Sequence, residues 1–140
     1  MSLISDNQLN ELPATFLKMM RKNVETLDLS KNYFFTLGVF PEMEKLQSLI
    51  LDDCNIMSVE KDALNNLLNL KILSIQRNRF TTLPSNIMIP SLQSLSFNGQ
   101  KPDGKTSISI GKSEKYMLWK IVKLETHPIF VSNVSLHNQN

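Results

Sequence analysis

This sequence of 140 residues contains few cysteines and glycines, and neither sign of charge is in large excess. Cys54 is the single cysteine, so an intramolecular disulfide is impossible and a secreted domain held by bridges is disfavoured. The net charge is only +2, which indicates neither a nucleic-acid partner nor an anionic membrane. No apolar run approaches the roughly 18 residues that span a bilayer. A hydrophobic content of 41% is ordinary for a globular chain, and the length fits a single domain.

Catalytic and nucleotide-binding patterns are missing as well. The residues Gly111-Lys112-Ser113 look like the end of a phosphate-binding loop, but the preceding Gly104 lies seven positions upstream where that motif needs five. Cys54 has no partner base within its own region, because both histidines lie near the C-terminus. No metal-ligand cluster is present in the sequence. We therefore predict a chain that is not an enzyme, has no cofactor and takes no small-molecule substrate.

What the sequence does contain is one spacing of apolar residues that recurs. Taking the polar or cysteine position as the marker, successive copies fall at residues 7, 32, 54, 78 and 100, in steps of 25, 22, 24 and 22. The first copy is partial, and the last loses the pattern at Gln100. The three full copies are Val24, Leu27, Leu29, Asn32, Phe34 and Leu37; Leu46, Leu49, Leu51, Cys54, Ile56 and Val59; and Leu70, Leu73, Ile75, Asn78, Phe80 and Leu83.

A period of roughly 20–29 residues with the pattern L-x-x-L-x-L-x-x-N/C-x-L resembles the leucine-rich repeat family. The resemblance covers about residues 2 to 100 and rests on six offsets that recur together. It implies an α/β fold, a leucine-rich repeat solenoid: a right-handed superhelix with a parallel concave β-sheet and short helices or turns on the convex side. We predict a solenoid of about four to five repeats over residues 1–100 and a C-terminal cap and tail over residues 101–140.

The marker residues have a structural interpretation. Backbone groups at the turn after each strand point inward, and one left unsatisfied costs roughly 1–3 kcal/mol. Asparagine carries both a donor and an acceptor, and buried cysteine is a tolerated substitute. We therefore predict a structural ladder formed by Asn7, Asn32, Cys54 and Asn78.

The segments between strands show helical spacing in two places, residues 10–23 and residues 62–70. Prolines following Leu83 and Ile89 disfavour long helices in the next segment. The side chains predicted to pack inward are Leu12, Phe16 and Met19 or Met20 in the first place, and Leu64, Leu67 and Leu68 in the second.

The C-terminal 40 residues depart from the repeat. Lys101-Pro102-Asp103-Gly104 predicts a turn, and residues 107–111 alternate as a short strand. Residues 114–125 are apolar enough to pack, and their pattern leaves helix and strand equally open. We interpret this segment as a lid that buries Trp119 against the last repeat.

Strand alternation assigns the side chains that face solvent from the sheet. Ile50 and Ile72 should lie diagonally on adjacent strands, exposed at its centre, with hydroxyl and charged side chains around them. Many leucine-rich repeat proteins bind other proteins on this face, so the resemblance implies a polypeptide partner here. The predicted partner-binding residues are Thr26, Asp28, Ser30, Lys31, Ile50, Asp52, Asp53, Ile72, Ser74, Gln76 and Arg77.

The sequence leaves a second reading of function open. The partial first copy is typical of a fragment of a larger leucine-rich repeat receptor or multidomain signalling enzyme, whose active part lies outside these residues. The single cysteine favours a cytoplasmic location, whereas the sequon at Asn133 and a receptor origin would favour an extracellular one. The chain is thus predicted to be a non-catalytic protein-binding module or scaffold, with the fragment as the alternative.

Overall fold

The computed structural model of the protein describes residues 2–110, 114–126 and 130–132. Each of the described strands contains two or three residues, and together they form two parallel sheets. The strands are β1 Ser2–Leu3, β2 Thr26–Asp28, β3 Thr36–Leu37, β4 Ser48–Ile50, β5 Ser58–Val59, β6 Ile72–Ser74, β7 Ser94–Ser96 and β8 Phe130–Ser132.

The main sheet has the order β1-β2-β4-β6-β7-β8, and β3 pairs with β5 in the small one. We number the coils 1 to 5 by their main strands β1, β2, β4, β6 and β7. Each main strand pairs in parallel with the strand of the next coil, which is the arrangement of a solenoid. The predicted α/β leucine-rich repeat solenoid is therefore confirmed.

The core is built from equivalent residues of successive coils. Leu27, Leu49, Leu73 and Leu95 lie in register across the main sheet, and all four are fully buried. Two residues farther along, hydrogen bonds continue between coils, since the Leu51 N–H donates to Ser74 O at 2.7 Å. Burial of one such leucine contributes about 1.5–3 kcal/mol, and no single coil could provide it alone.

The first return segment, which leads from one main strand to the next, contains the helix α1, Ala14–Met20. Leu17 is its buried residue, whereas Phe16 is 44% and Met19 75% exposed. The predicted inward position of Phe16 is therefore wrong. Leu12 packs against the core as predicted, and of the two methionines left open Met20 is the one that does so. The helix begins after Pro13, which rotates its apolar stripe by one residue relative to the prediction.

Residues 61–66 form consecutive turns, and the predicted helix over residues 62–70 is wrong. Their backbone bonds span three residues, as in Leu67 N–H to Leu64 O at 3.0 Å and Leu70 N–H to Leu67 O at 3.2 Å. With this periodicity, side chains three apart lie on one side. Leu64, Leu67 and Leu70 are consequently buried, while Leu68 is 73% exposed. The next return segment holds a single 3₁₀ turn, Ser85–Ile87.

The C-terminal region adds a helix, α2, Glu114–Thr126, and the strand β8 beside β7. The alternative between helix and strand for residues 114–125 is thereby settled as a helix. Tyr116 and Lys123 are buried in this helix, and the Tyr116 ring lies 6.3 Å from that of the half-buried Trp119. The predicted turn closes through the Gly104 N–H to Lys101 O at 2.8 Å. Residues 107–110 form no strand, and Gly111 and Asn133 lie outside the described residues. Neither described helix has the length and apolarity that crossing a bilayer requires.

Candidate functional site

The open face, by which we mean the solvent-facing side of the main sheet, is organised in rows that run across the coils. Strand pairing aligns the residues of the first two rows. The rows are Thr26, Ser48, Ile72 and Ser94; Asp28, Ile50, Ser74 and Ser96; Ser30, Asp52, Gln76 and Asn98; and, at the edge, Lys31, Asp53, Arg77 and Gly99.

Buried asparagines fix the turns on which this face depends. The Asn78 Oδ1 accepts from the N–H groups of Cys54 at 2.9 Å and Ile56 at 3.1 Å, and its Nδ2 donates to Leu51 O at 2.9 Å. Asn32 makes the same contacts to coil 1. Each asparagine therefore satisfies backbone groups of the coil before it, which holds neighbouring coils in one register.

Cys54 occupies the same position in coil 3 with weaker bonds. Its Sγ donates to Leu29 O at 3.2 Å and Asp52 O at 3.3 Å, and the side chain is fully buried. Burial raises the pKa of the thiol to about 12, because a thiolate would lose its hydration there. The group is consequently an unreactive ladder residue at neutral pH.

The ladder has a different extent from the predicted one. Gln100, where the pattern was thought to end, is fully buried and donates to Ile75 O at 2.8 Å, while its Oε1 accepts from Phe80 N–H at 3.3 Å. Asn7 is exposed and its amide bonds only to Ser5 O in its own turn. The ladder therefore comprises Asn32, Cys54, Asn78 and Gln100. The regular spacing up to residue 100 already carried that signal.

In all five coils, the residue before the marker position (residues 7, 32, 54, 78 and 100) adopts a left-handed backbone conformation. The φ angles are 57° at Asp6, 58° at Lys31, 55° at Asp53, 52° at Arg77 and 71° at Gly99. A side chain at such a position costs roughly 1–2 kcal/mol, so only the glycine is free of strain. This geometry turns the edge row out toward solvent, and nothing in the sequence pattern announced it.

A polar network occupies the centre of the open face. The Asp52 Oδ1 accepts from Ser74 Oγ at 2.7 Å and from the Gln76 N–H at 2.8 Å. Gln76 Nε2 also donates to Ser74 Oγ at 3.2 Å. The Asp52 side chain is 14% exposed, so its carboxylate both bonds to the neighbouring coil and remains partly accessible to solvent. These side chains are held in place before any ligand arrives.

An ion pair lies beside this network on the edge row. The Arg77 guanidinium contacts Asp53 Oδ2 at 3.0 Å from both Nε and a terminal nitrogen, and lies 3.9 Å from Asp52. The hydrogen bond to Asp53 raises the pKa of Arg77. A Cβ at residue 99 would lie only 2.9 Å from Arg77 Cγ, so the arginine stem lies directly over Gly99. Arg77 is thus held in place by charge and by packing.

The two isoleucines lie where the alternation placed them, with one difference. Ile72 pairs with Ser48 and Ile50 pairs with Ser74, which makes the isoleucines diagonal neighbours on β4 and β6. Ile72 is 47% exposed, as predicted. Ile50 is half-buried rather than exposed, because its neighbours on both sides cover part of the chain. A small apolar area remains accessible beside the Asp52 network.

The predicted residues of coil 2 form the other flank. The Asp28 Oδ1 accepts from the Ser30 N–H at 2.9 Å, and Ser30 Oγ accepts from the Asp52 N–H at 3.1 Å. Thr26 is half-buried on β2, and Lys31 is exposed at the edge. In the part of the chain that the structure describes, no three metal-ligating side chains come together.

A parallel sheet closed on one side by return segments and held by an asparagine ladder is the architecture of a leucine-rich repeat domain. The leucine rich repeat family profile matches residues 44–100. The chain is 33% identical over 114 residues to the human protein "Leucine-rich repeats and immunoglobulin-like domains protein 3". That match covers 77% of this chain and 10% of the relative, so the chain spans about a tenth of the relative's length.

The profile match and the relative support a leucine-rich repeat protein. Domains of this family are in general protein-interaction modules.

Proposed function

We propose that the chain is a non-catalytic binding module that recognises a polypeptide partner on its open face. The observation that supports this most directly is the exposed Ile72 with the half-buried Ile50 beside it, set next to the ordered network around Asp52. An apolar centre within a polar rim is the usual composition of a protein-binding patch. Solvated sheet faces need no large aliphatic side chain at their centre.

The surrounding residues would supply orientation and rim contacts. Ser74, Gln76 and Asp52 are already bonded to one another, so binding would cost little side-chain entropy at that point. Asp53 and Arg77 neutralise each other at the edge and remain partly exposed, at 38% and 42% of their side-chain surfaces. The coil 2 residues complete the proposed patch: Thr26, Asp28, Ser30 and Lys31.

The proposal is tested by the double substitution Ile50→Glu with Ile72→Glu. Immobilised wild-type and variant chains would be exposed to an extract of the source tissue, and retained proteins identified and then purified for titration. We expect the variant to bind the purified partner at least tenfold more weakly, since two carboxylates would be desolvated in the interface.

A matched control places the same charges away from the open face. Met57 and Leu68 are 54% and 73% exposed on the other sides of coil 3, so Met57→Glu with Leu68→Glu should leave binding unchanged. Urea unfolding would establish that both double variants remain folded, and Ile72→Ser provides a milder version at the exposed position. Equal binding by the wild type and the open-face variant would refute this choice of face.

A second candidate is favoured by the relative. Because the chain corresponds to only a tenth of a protein named for both leucine-rich repeats and immunoglobulin-like domains, it is also a candidate for the recognition part of a longer receptor. The mass of the endogenous protein detected with an antibody against residues 44–100 separates the two cases. A mass near 16.0 kDa favours the module acting alone. A cytoplasmic location remains our prediction for the module, and an extracellular one for the receptor.

A further inference from the structure

A second recognition feature lies at the edge of the open face, where the chain leaves the ladder turns of coils 3 to 5. It is a cleft of about 200 Å³, and its surface is more polar than apolar. The lining residues that matter are Asp53, Asn55, Arg77, Arg79, Lys101 and Gly104.

The cleft carries more positive than negative side chains. The Arg77 guanidinium forms an ion pair with the Asp53 carboxylate at 3.0 Å. Arg79 and Lys101 are half-buried, and neither has a carboxylate partner among residues 2–110, 114–126 and 130–132. Two cationic donors are therefore left to one small cleft, where partial burial strengthens their attraction for an anion.

Hydrogen bonds hold the guanidinium of Arg79 and the backbone of Lys101 in place. Arg79 Nε donates to Pro102 O at 3.1 Å, which leaves the terminal guanidinium nitrogens for another acceptor. The Lys101 N–H donates to Asn78 O at 2.8 Å, so coil 5 follows coil 4 closely here. Gly104 has a φ of 78°, and a Cβ there would reach to 4.0 Å from Arg79 Cζ, so this turn lies against the guanidinium.

The acid nearest in sequence is committed elsewhere. The Asp103 Oδ1 accepts from the N–H groups of Thr106 at 2.7 Å and Lys105 at 2.8 Å. These bonds, that of Thr106 foremost, lower the pKa of Asp103. Its carboxylate is thereby held to its own loop, and no carboxylate of the described residues forms an ion pair with Arg79.

We propose that this cleft is an oxyanion subsite that receives the carboxylate of an aspartate or glutamate side chain from the polypeptide partner. Arginine binds a carboxylate through parallel hydrogen bonds, and Lys101 adds a second charge. A dianionic phosphate is disfavoured, because Asp53 lies in the same cleft and repels two charges more than one. The inference rests on the proposed function and adds to it an acidic residue in the partner, placed at one edge of the open face.

The experiment uses a blocked triglutamate peptide, with triglutamine and inorganic phosphate as the other probes. Binding to the ¹⁵N-labelled chain is followed by NMR at Arg79 Nε and at the amides of Lys101 and Gly104. We expect triglutamate to shift these signals, with no effect of triglutamine and an affinity that falls as salt is added. Arg79→Gln with Lys101→Gln should weaken binding about tenfold or more, since charge-assisted bonds are lost.

The matched control removes two cations from another surface. Lys18 and Lys22 are exposed on and next to α1, so Lys18→Gln with Lys22→Gln should leave the shifts unchanged. Equal loss in both double variants would overturn the proposal in favour of non-specific charge attraction. Tighter binding of phosphate than of triglutamate, or no shift at all, would overturn it as well.

The two proposals fail in different ways. Ile50→Glu with Ile72→Glu leaves the cleft residues in place and should retain the triglutamate shifts. If the cleft variant still binds the purified partner as the wild type does, the subsite is refuted while recognition on the open face stands.

Discussion

The strand side and the return side of the coils are constructed on different principles. On the strand side coils 2 to 5 repeat one design: a short strand with a buried central leucine, a left-handed residue and a buried ladder side chain. On the return side the local structure varies along the solenoid, and only coils 2 and 3 among the described segments have matching strands. The return segments contain the helix α1, the β3–β5 pair, a series of turns and a 3₁₀ turn.

The difference shows what each side has to achieve. Strand residues must bond to the coil before and the coil after, so the geometry of one coil dictates that of the next. Return segments need only cover the core with apolar side chains, and several local structures do so equally well. Substitutions on the strand side should therefore act through defined contacts, and those on the return side through exposure alone.

The largest expected effect on stability is that of replacing a buried leucine on the strand side, with an exposed leucine on the return side as its comparison. Leu73 is fully buried at the centre of β6, and Leu68 is 73% exposed on the return segment before it. Leu73→Ala should reduce the free energy of unfolding by about 2–5 kcal/mol, because a cavity forms between three coils. Leu68→Ala should change it by less than about 0.5 kcal/mol. Urea unfolding measures both, and similar losses would show that the return side is as constrained as the sheet.

A second pair of substitutions compares a ladder asparagine with an exposed one. Its expected effect on the free energy of unfolding is slightly smaller. Asn78→Ala would leave the N–H groups of Cys54 and Ile56 and the carbonyl of Leu51 without partners. We expect a loss of about 3 kcal/mol in the free energy of unfolding. Asn7→Ala serves as the comparison, since that amide bonds only within its own exposed turn and should cost less than about 0.5 kcal/mol. A tolerated Asn78→Ala would mean that water replaces the amide.

The third prediction concerns Cys54, the ladder residue with a thiol. It is tested by measuring the free energy of unfolding as a function of pH. The unfolded thiol ionises near about pH 8.5, whereas the buried Cys54 has a pKa of about 12. Above pH 8.5 the unfolded chain loses a proton that the folded chain keeps, so stability falls as pH rises toward the folded value. Between pH 8 and 10.5 the wild type should lose about 2.5 kcal/mol more than Cys54→Ala.

The wild type and Cys54→Ala contain the same lysines and tyrosines. The difference between their free energies of unfolding at each pH therefore excludes the titration of those groups. A parallel slope in the two would mean that the thiol is already accessible in the folded chain. The rate of reaction with a thiol reagent gives an independent check, since a buried neutral thiol reacts only after the coil opens.

The strand side could be predicted from the sequence better than the return side. The inward leucines, the parallel sheet and the diagonal of Ile50 and Ile72 were predictable, because a period-two pattern repeated at a fixed interval admits one stacking. Leu68 and Phe16 were misplaced, because helical spacing and three-residue turns differ by one position within a few residues.

Two features of the candidate site were beyond a pattern of residue types. Gln100 continues the ladder although glutamine is absent from the repeat pattern, since its longer side chain still reaches Ile75 O. The left-handed residues before the ladder are two aspartates, a lysine, an arginine and a glycine, and only the glycine announces such a conformation. The cleft around Arg79 includes two of these left-handed residues, Asp53 and Arg77, so the pattern of residue types could not bring its residues together.

The smallest expected effect tests whether that left-handed position is set by the coil or by its residue. Lys31 has a φ of 58° and an exposed side chain, so its Cβ adds strain while its charge contributes little. Lys31→Gly removes a cost of roughly 1–2 kcal/mol, and glycine's greater freedom in the unfolded chain returns roughly 0.5–1. The free energy of unfolding should rise by about 0.5 kcal/mol, whereas Lys31→Ala, which keeps the Cβ, should leave it unchanged. Thermal and urea unfolding resolve the difference. A decrease for Lys31→Gly would mean that the lysine side chain contributes more to the edge of the open face than its exposure indicates.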